Sequence, residues 1–132
     1  MDKLYDVIIL GAGPAGLAAG LYSGRYRLST LIIEKAKDGG QIAITDEIEN
    51  YPGQMVEGES GPSLIARMTA QAEKFGAERA SDTITKVELE GPVKKLYGTK
   101  DTYHRHRRFP ASHRMQERRR VHGQGSFLLR YL

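Results

Sequence analysis

The stretch Val7-Ile8-Ile9-Leu10-Gly11-Ala12-Gly13-Pro14-Ala15-Gly16-Leu17-Ala18-Ala19 decides the fold. A short apolar run meets a glycine turn, and the turn opens directly into a helix-forming segment. Gly11 permits the tight turn, Gly13 lets the backbone approach a pyrophosphate, and Gly16 lets the helix pack closely on the strand. Free N–H groups at the helix start then face the phosphate charge. Pro14 suits the first helical turn, where its missing donor costs nothing. A second apolar run, Leu31-Ile32-Ile33, ends in Glu34, 23 residues after Gly11, close to the spacing of roughly 20 that places an acid on a nucleotide ribose. A carboxylate there accepts both ribose hydroxyls and repels a 2'-phosphate. The strand, turn, helix and acid together weigh against a glycine turn and a surface glutamate that bind nothing.

The rest of the composition limits what such a unit can do. At 132 residues the chain fits one domain. Its 39% hydrophobic and 27% charged fractions are ordinary for a soluble protein. No apolar run approaches the roughly 18 to 20 residues of a membrane span, and the N-terminus lacks a cleavage pattern, so the expected location is cytoplasmic. Cysteine is absent, which excludes disulfides, thiolate metal sites and thiol chemistry within this chain. The net charge of +4 hides an asymmetry. Through Tyr103 there are 12 Lys+Arg against 15 Asp+Glu, a balance of −3; from His104 onward there are 8 Arg against Glu117 alone, a balance of +7. All four histidines, His104, His106, His113 and His122, fall in that second part.

Periodicity places the elements. Residues 5 to 10 read as a buried strand, 14 to 25 as a helix and 29 to 34 as a second strand, a β-α-β unit with a parallel sheet and right-handed crossover. The polar connection from Lys35 to Gly61 is too long for an ordinary loop and contains Gly39-Gly40-Gln41-Ile42 and Ile48-Glu49-Asn50-Tyr51-Pro52-Gly53. A second helix runs from Pro62 to about Phe75, with Leu64, Ile65, Met68, Ala72 and Phe75 as its core stripe and Gly76 as its stop. Ala77 to Ala80 reads as a short third strand. Thr83 to Glu90 and Val93 to Tyr97 read as two antiparallel strands of a meander, broken by Gly91-Pro92 and followed by a turn near Gly98 to Asp101.

With these segments in order, the sequence resembles the N-terminal FAD-binding part of bacterial low-molecular-weight thioredoxin reductases, within the pyridine nucleotide-disulfide oxidoreductase group. The resemblance rests on Tyr5 to Gly16, Leu31-Ile32-Ile33-Glu34, Gly39-Gly40-Gln41-Ile42, Ile48 to Gly53 and Thr85-Lys86-Val87, and it covers residues 1 to about 103. It implies an α/β class: a partial FAD/NAD(P)-binding Rossmann-like domain with a parallel sheet and an incomplete antiparallel meander. Gly11, Gly13, Pro14, Ala15 and Gly16 would hold the FAD pyrophosphate, and Glu34 the adenosine ribose. Gly40 and Gln41 would line the flavin and ribityl side, Asn50 would contact the flavin, and Val87 would meet the adenine through its backbone. In the family, NADPH reduces the flavin, the flavin reduces a Cys-x-x-Cys pair, and that pair reduces thioredoxin; the family also forms homodimers. No residue of this chain matches the catalytic pair.

After Tyr103 the family pattern calls for an apolar strand ending in Ile-Ala-Thr-Gly-Ala, which closes the flavin site. The text here is His104-Arg105-His106-Arg107-Arg108-Phe109-Pro110, in which no strand of that kind is legible. A change of reading frame near Tyr103 accounts for it. In the shifted frame, with free choice of synonymous codons, His104 to Ala111 can read I-A-T-G-A-S-P-R. Met115 followed by Gln116 must read Cys, and Arg119 to Tyr131 can read G-E-F-T-G-K-G-V-S-F-C-D-T. Residues 1–103 are therefore expected to be a FAD-binding fragment and 104–132 a disordered basic tail. An alternative makes that tail a nucleic-acid or anionic-membrane module, with Arg105, Arg107, Arg108, Arg114 and Arg118 to Arg120 neutralising phosphates and Phe109 and Phe127 stacking. The His-x-His pair has no acid or thiol in reach by sequence, and no metal site is expected. Without the closing strand, one edge of the first strand's sheet and its apolar surface lie uncovered, so low stability, weak FAD affinity and no turnover are expected.

Overall fold

The computed structural model describes residues 3–53 and 58–106. Strand β1 is Leu4–Tyr5, β2 is Val7–Leu10, helix α1 is Pro14–Arg25 and β3 is Thr30–Glu34. A 3-10 helix, Gly40–Ile44, interrupts the long connection, and α2 is Gly61–Lys74. Strands β4 (Glu78–Ser81), β5 (Ile84–Glu88), β6 (Val93–Gly98) and β7 (Thr102–His106) follow. Among the described residues, β2, β3 and β4 form a parallel sheet in that order, with Ile9 opposite Ile32 and Ile32 opposite Arg79. A second sheet has the order β1-β7-β6-β5.

Strand β3 explains the layering. Its side chains alternate between faces. Ile32 belongs to a core with Ala12, Leu17, Ile65, Ala72 and Ala77, so the helices cover that side. Leu31 and Ile33 join Tyr5, with Ile8, Ala80, Ile84 and Tyr103 packed against them, so the meander covers the other. Leu17 and Leu64 are each 1% exposed, and burial of such a side chain contributes about 1.5–3 kcal/mol. Helix α1 approaches closely through small residues: a Cβ at Gly20 would lie 2.5 Å from the Ile32 Cδ1, and one at Gly24 2.5 Å from the Phe75 carbonyl oxygen. Helix α2 is capped by Ser60, whose hydroxyl accepts the Ser63 N–H at 3.3 Å.

Four sequence readings need correction. The strand read over residues 5 to 10 is broken at Asp6, and its halves enter different sheets. The Asp6 and Val7 N–H groups both donate to the Ser29 carbonyl, at 2.9 and 3.1 Å, and the Asp6 carboxylate accepts the Ser29 N–H at 2.9 Å. Phe75 is 43% exposed and lies outside the core stripe; its ring is 5.7 Å from the Arg25 guanidinium, a cation–π contact. The meander has three antiparallel strands among the described residues, not two. The third, β7, carries His104, Arg105 and His106 into a ladder with β6 and pairs in parallel with β1, so a strand exists where no apolar pattern announced one. The basic segment from Arg107 onward, with its expected disorder, lies outside the described residues. Among those described, no helix is long and apolar enough to cross a membrane.

Candidate nucleotide-binding site

The carboxyl end of the parallel sheet carries the glycine turn. Gly11 has φ +101°, a left-handed conformation that favours glycine, and its N–H donates to the Ile33 carbonyl at 2.8 Å. A Cβ at Gly16 would lie 2.0 Å from the Gly11 carbonyl oxygen, so only glycine lets α1 start against the turn. Gly13 is the N-cap of α1 and supplies no side-chain cap. The first backbone bond of that helix runs from the Leu17 N–H to the Gly13 carbonyl at 2.9 Å, which leaves the N–H groups of Gly13, Ala15 and Gly16 ahead of the ladder. A Cβ added at Gly11 or Gly13 would meet nothing within 4 Å. The turn therefore has donors on a face that a phosphate group can approach.

Glu34 comes to this turn from the end of β3. Its Oε2 accepts the Ala12 N–H at 2.8 Å and its Oε1 the Ala36 N–H at 3.0 Å. The bond from Ala12, with help from Ala36 and Lys35 and against partial burial, holds the carboxyl below the usual carboxylate range. The Ala12 carbonyl in turn accepts the Gly39 N–H at 2.8 Å, which brings the start of the 3-10 helix, with Gly40 at φ +55°, against the turn. Gln41 is exposed on that helix. Asn50 lines an open pocket of about 620 Å³ with Ile42, Ile48, Tyr51 and Leu64, a lining that includes none of the turn residues. Val87 is on β5 and 45% exposed, in a groove with Val7, Ile8, Leu10, Leu89 and Leu96. The structure thus gathers Gly11 to Gly16, Glu34 and Gly40 at one place and leaves Asn50 and Val87 on neighbouring surfaces.

The model of one protein family, the pyridine nucleotide-disulphide oxidoreductases, matches residues 5–114. The chain belongs to this family. It is 52% identical over 103 residues to the thioredoxin reductase of Peptoclostridium acidaminophilum, covering 78% of this chain and 32% of that one. Over 86 residues it is 52% identical to the thioredoxin reductase of Bacillus subtilis, 65% of this chain and 27% of that one. The crystal structure of thioredoxin reductase from Streptococcus pyogenes superposes with a TM-score of 0.74 at 39% identity, covering 80% of this chain and 34% of that one. The chain spans between about a quarter and a third of the length of these relatives.

Within this pyridine nucleotide-disulphide oxidoreductase fold, two features escaped the sequence reading. Asp38 is bound on both oxygens by the Arg79 guanidinium, and its Oδ2 also accepts the Thr69 hydroxyl at 3.1 Å. Asp82, 3% exposed, accepts hydrogen bonds from the N–H groups of Thr83, Thr99, Lys100 and Asp101 and from the hydroxyls of Thr99 and Tyr103. The first had a signal in an acid directly before Gly39-Gly40. The second had none, because all its donors except the adjacent Thr83 lie on a turn and strand distant in sequence.

Proposed function

We propose that this chain is the FAD-binding part of a thioredoxin-reductase-type flavoprotein, with the dinucleotide held at the Gly11–Gly16 turn. The observation that carries the reading is the Glu34 bond to Ala12: the acid that would take the ribose is joined to the turn that would take the pyrophosphate. The residues fit such a group. The N–H groups of Gly13, Ala15 and Gly16 would bind phosphate oxygens, with Pro14 fixing the helix start. Glu34 would accept the ribose hydroxyls, Gly40 and Gln41 would border the ribityl side, Asn50 would bind the flavin through its amide, and Val87 would offer its backbone to the adenine. When bound, FAD supplies electron transfer between NADPH and a disulfide. With no cysteine among its 132 residues, this chain contributes binding and orientation to that chemistry and no thiol.

Thioredoxin as the disulfide partner, a homodimer and a cytoplasmic setting belong to the same proposal, as does a reading-frame change near Tyr103. The gene's nucleotide sequence tests the last: a shifted frame that does not read the flavoprotein motifs removes it. Binding is tested by titrating the purified chain with FAD and with ADP. Saturable binding of both, weakened about tenfold in Glu34→Gln, is expected, and absence of saturation by either would refute the assignment.

A further inference from the structure

The loop between Glu34 and the 3-10 helix is fastened at a point that ligand contact does not require. Asp38 receives Nη1 of Arg79 on Oδ2 and Nη2 on Oδ1, a two-point pairing, and the Thr69 hydroxyl joins on Oδ2. The loop, β4 and α2 thus meet at one carboxylate. Both side chains of the pair are mostly buried, 21% exposed for Arg79 and 23% for Asp38. Charge-assisted bonds in this paired geometry are strong and directional. The Arg79 Nε is buried with no acceptor among the described residues, so Asp38 sets the aim of the guanidinium.

The residue after Asp38 transmits this placement. Gly39 has φ +103°, and a Cβ on it would lie 2.7 Å from Ile65 Cγ1, so only glycine lets the loop pack this closely on α2. Its N–H is the donor to Ala12. The glycine turn and Glu34 have their own supports in β2 and β3, through the Gly11 bond to Ile33 and the Ala12 bond to Glu34. The start of the 3-10 helix depends instead on Asp38 and Gly39; its far end is held separately, by the Gly61 N–H on the Thr45 carbonyl at 2.9 Å.

We propose that Asp38, Arg79 and Thr69 are positioning residues that set the Gly39-Gly40-Gln41 stretch against the phosphate turn, and so serve the flavin half of the dinucleotide and not its ADP half. This rests on the FAD reading above. The test compares FAD and ADP affinities, by titration calorimetry on the full chain, for the wild type, Asp38→Asn, Arg79→Met, Arg79→Lys and Thr69→Val, alongside the thermal midpoint of each ligand-free protein. The FAD Kd should rise about tenfold in Asp38→Asn and Arg79→Met, with ADP changed less than about twofold. Arg79→Lys should fail to rescue, because an ammonium cannot make the paired contact. Thr69→Val removes one bond, should raise the FAD Kd about threefold, and decides the question if the charge variants do not fold. Equal losses for FAD and ADP, or an unchanged FAD Kd, would overturn the positioning role while leaving the nucleotide reading intact. A wild type that binds neither ligand would remove both.

Discussion

Glu34 holds the glycine turn, and its geometry is compatible with the ribose role proposed for it. A carboxylate offers about four lone-pair positions. The N–H groups of Ala12 and Ala36 bind one oxygen each and the Lys35 N–H adds a third donor, which leaves acceptor capacity for a ribose hydroxyl. The bond from Ala12 is the main reason that the carboxyl titrates below its usual range. A depressed folded value means that its stabilising contribution is present above the ordinary glutamate value of about 4.3 and is lost as pH falls through the lower folded one. FAD affinity should therefore stay flat between about pH 5.5 and 7.5 as far as this group is concerned. Glu34→Gln puts an amide NH2 where one acceptor stood; we expect about a tenfold rise in FAD Kd by fluorescence titration and about 1 kcal/mol of lost stability. Gly16→Ala is harsher, because its Cβ would stand 2.0 Å from the Gly11 carbonyl oxygen and 3.1 Å from the carbon. Backbone must move, at a cost of about 1–3 kcal/mol in urea denaturation, and the phosphate donors move with it, so ADP binding should disappear as well.

At the scale of elements, Asp82 ties the end of β4 to the β6–β7 turn. Burial alone would raise its carboxyl, but the donors from Thr99, Tyr103 and the surrounding backbone outweigh burial and hold it far below the usual range. The Tyr103 hydroxyl, half-buried and donating to Asp82 at 3.0 Å, is pushed up to about 12. The two signs give two pH limits. The aspartate's contribution is complete above its unfolded value of about 3.9 and lost as pH falls through the folded one; the tyrosine's is complete below about 10 and lost as pH rises through about 12. Asp82→Asn should lower the thermal midpoint near neutral pH and bring the tyrosinate absorbance transition of Tyr103 back toward about 10. None of this was legible in sequence, since all the donors to Asp82 except the adjacent Thr83 N–H come from residues 17 to 21 positions later. Helix α1 was legible to both its ends, because Pro14 and the glycine turn mark its start locally. The break at Asp6 was not: an apolar run surrounds it, and the Arg105 Nε that donates to its carbonyl at 3.0 Å lies 99 residues away. Strand β7 was hidden for the related reason that Thr102–His106 has no apolar alternation and gains strand structure from the ladders on either side. At the site, the turn and its acid could be read because the motif is local, whereas the attachment of Gly39 to Ala12 depends on tertiary contact.

Across the whole molecule, the free edge of β2 is the feature with the broadest consequence. In the order β2-β3-β4, β2 stands at the margin among the described residues. The Val7 and Gly11 N–H groups point to β3, so by the alternation of a parallel ladder those of Ile8 and Leu10 point outward. Beside this edge runs a groove of about 610 Å³ lined by Val7, Ile8, Leu10, Val87, Leu89 and Leu96, with Lys94 and Arg105 also on its wall. Leu10, Val87 and Leu89 are 54%, 45% and 62% exposed. An open edge next to exposed apolar side chains is a template for self-association. Sedimentation velocity should show the average mass growing with protein concentration. Leu89→Lys alters the groove at its most exposed apolar position, where folding loses little, and should lower the associated fraction severalfold at equal concentration. Added salt separates this from attraction through the basic residues: apolar contact and strand pairing persist as ionic strength rises, while charge-driven association is screened within about 10 Å at 0.1 M. A wild type that stays monomeric at every concentration, or one whose association Leu89→Lys leaves unchanged, would show that β2's edge and its groove are protected by the protein itself.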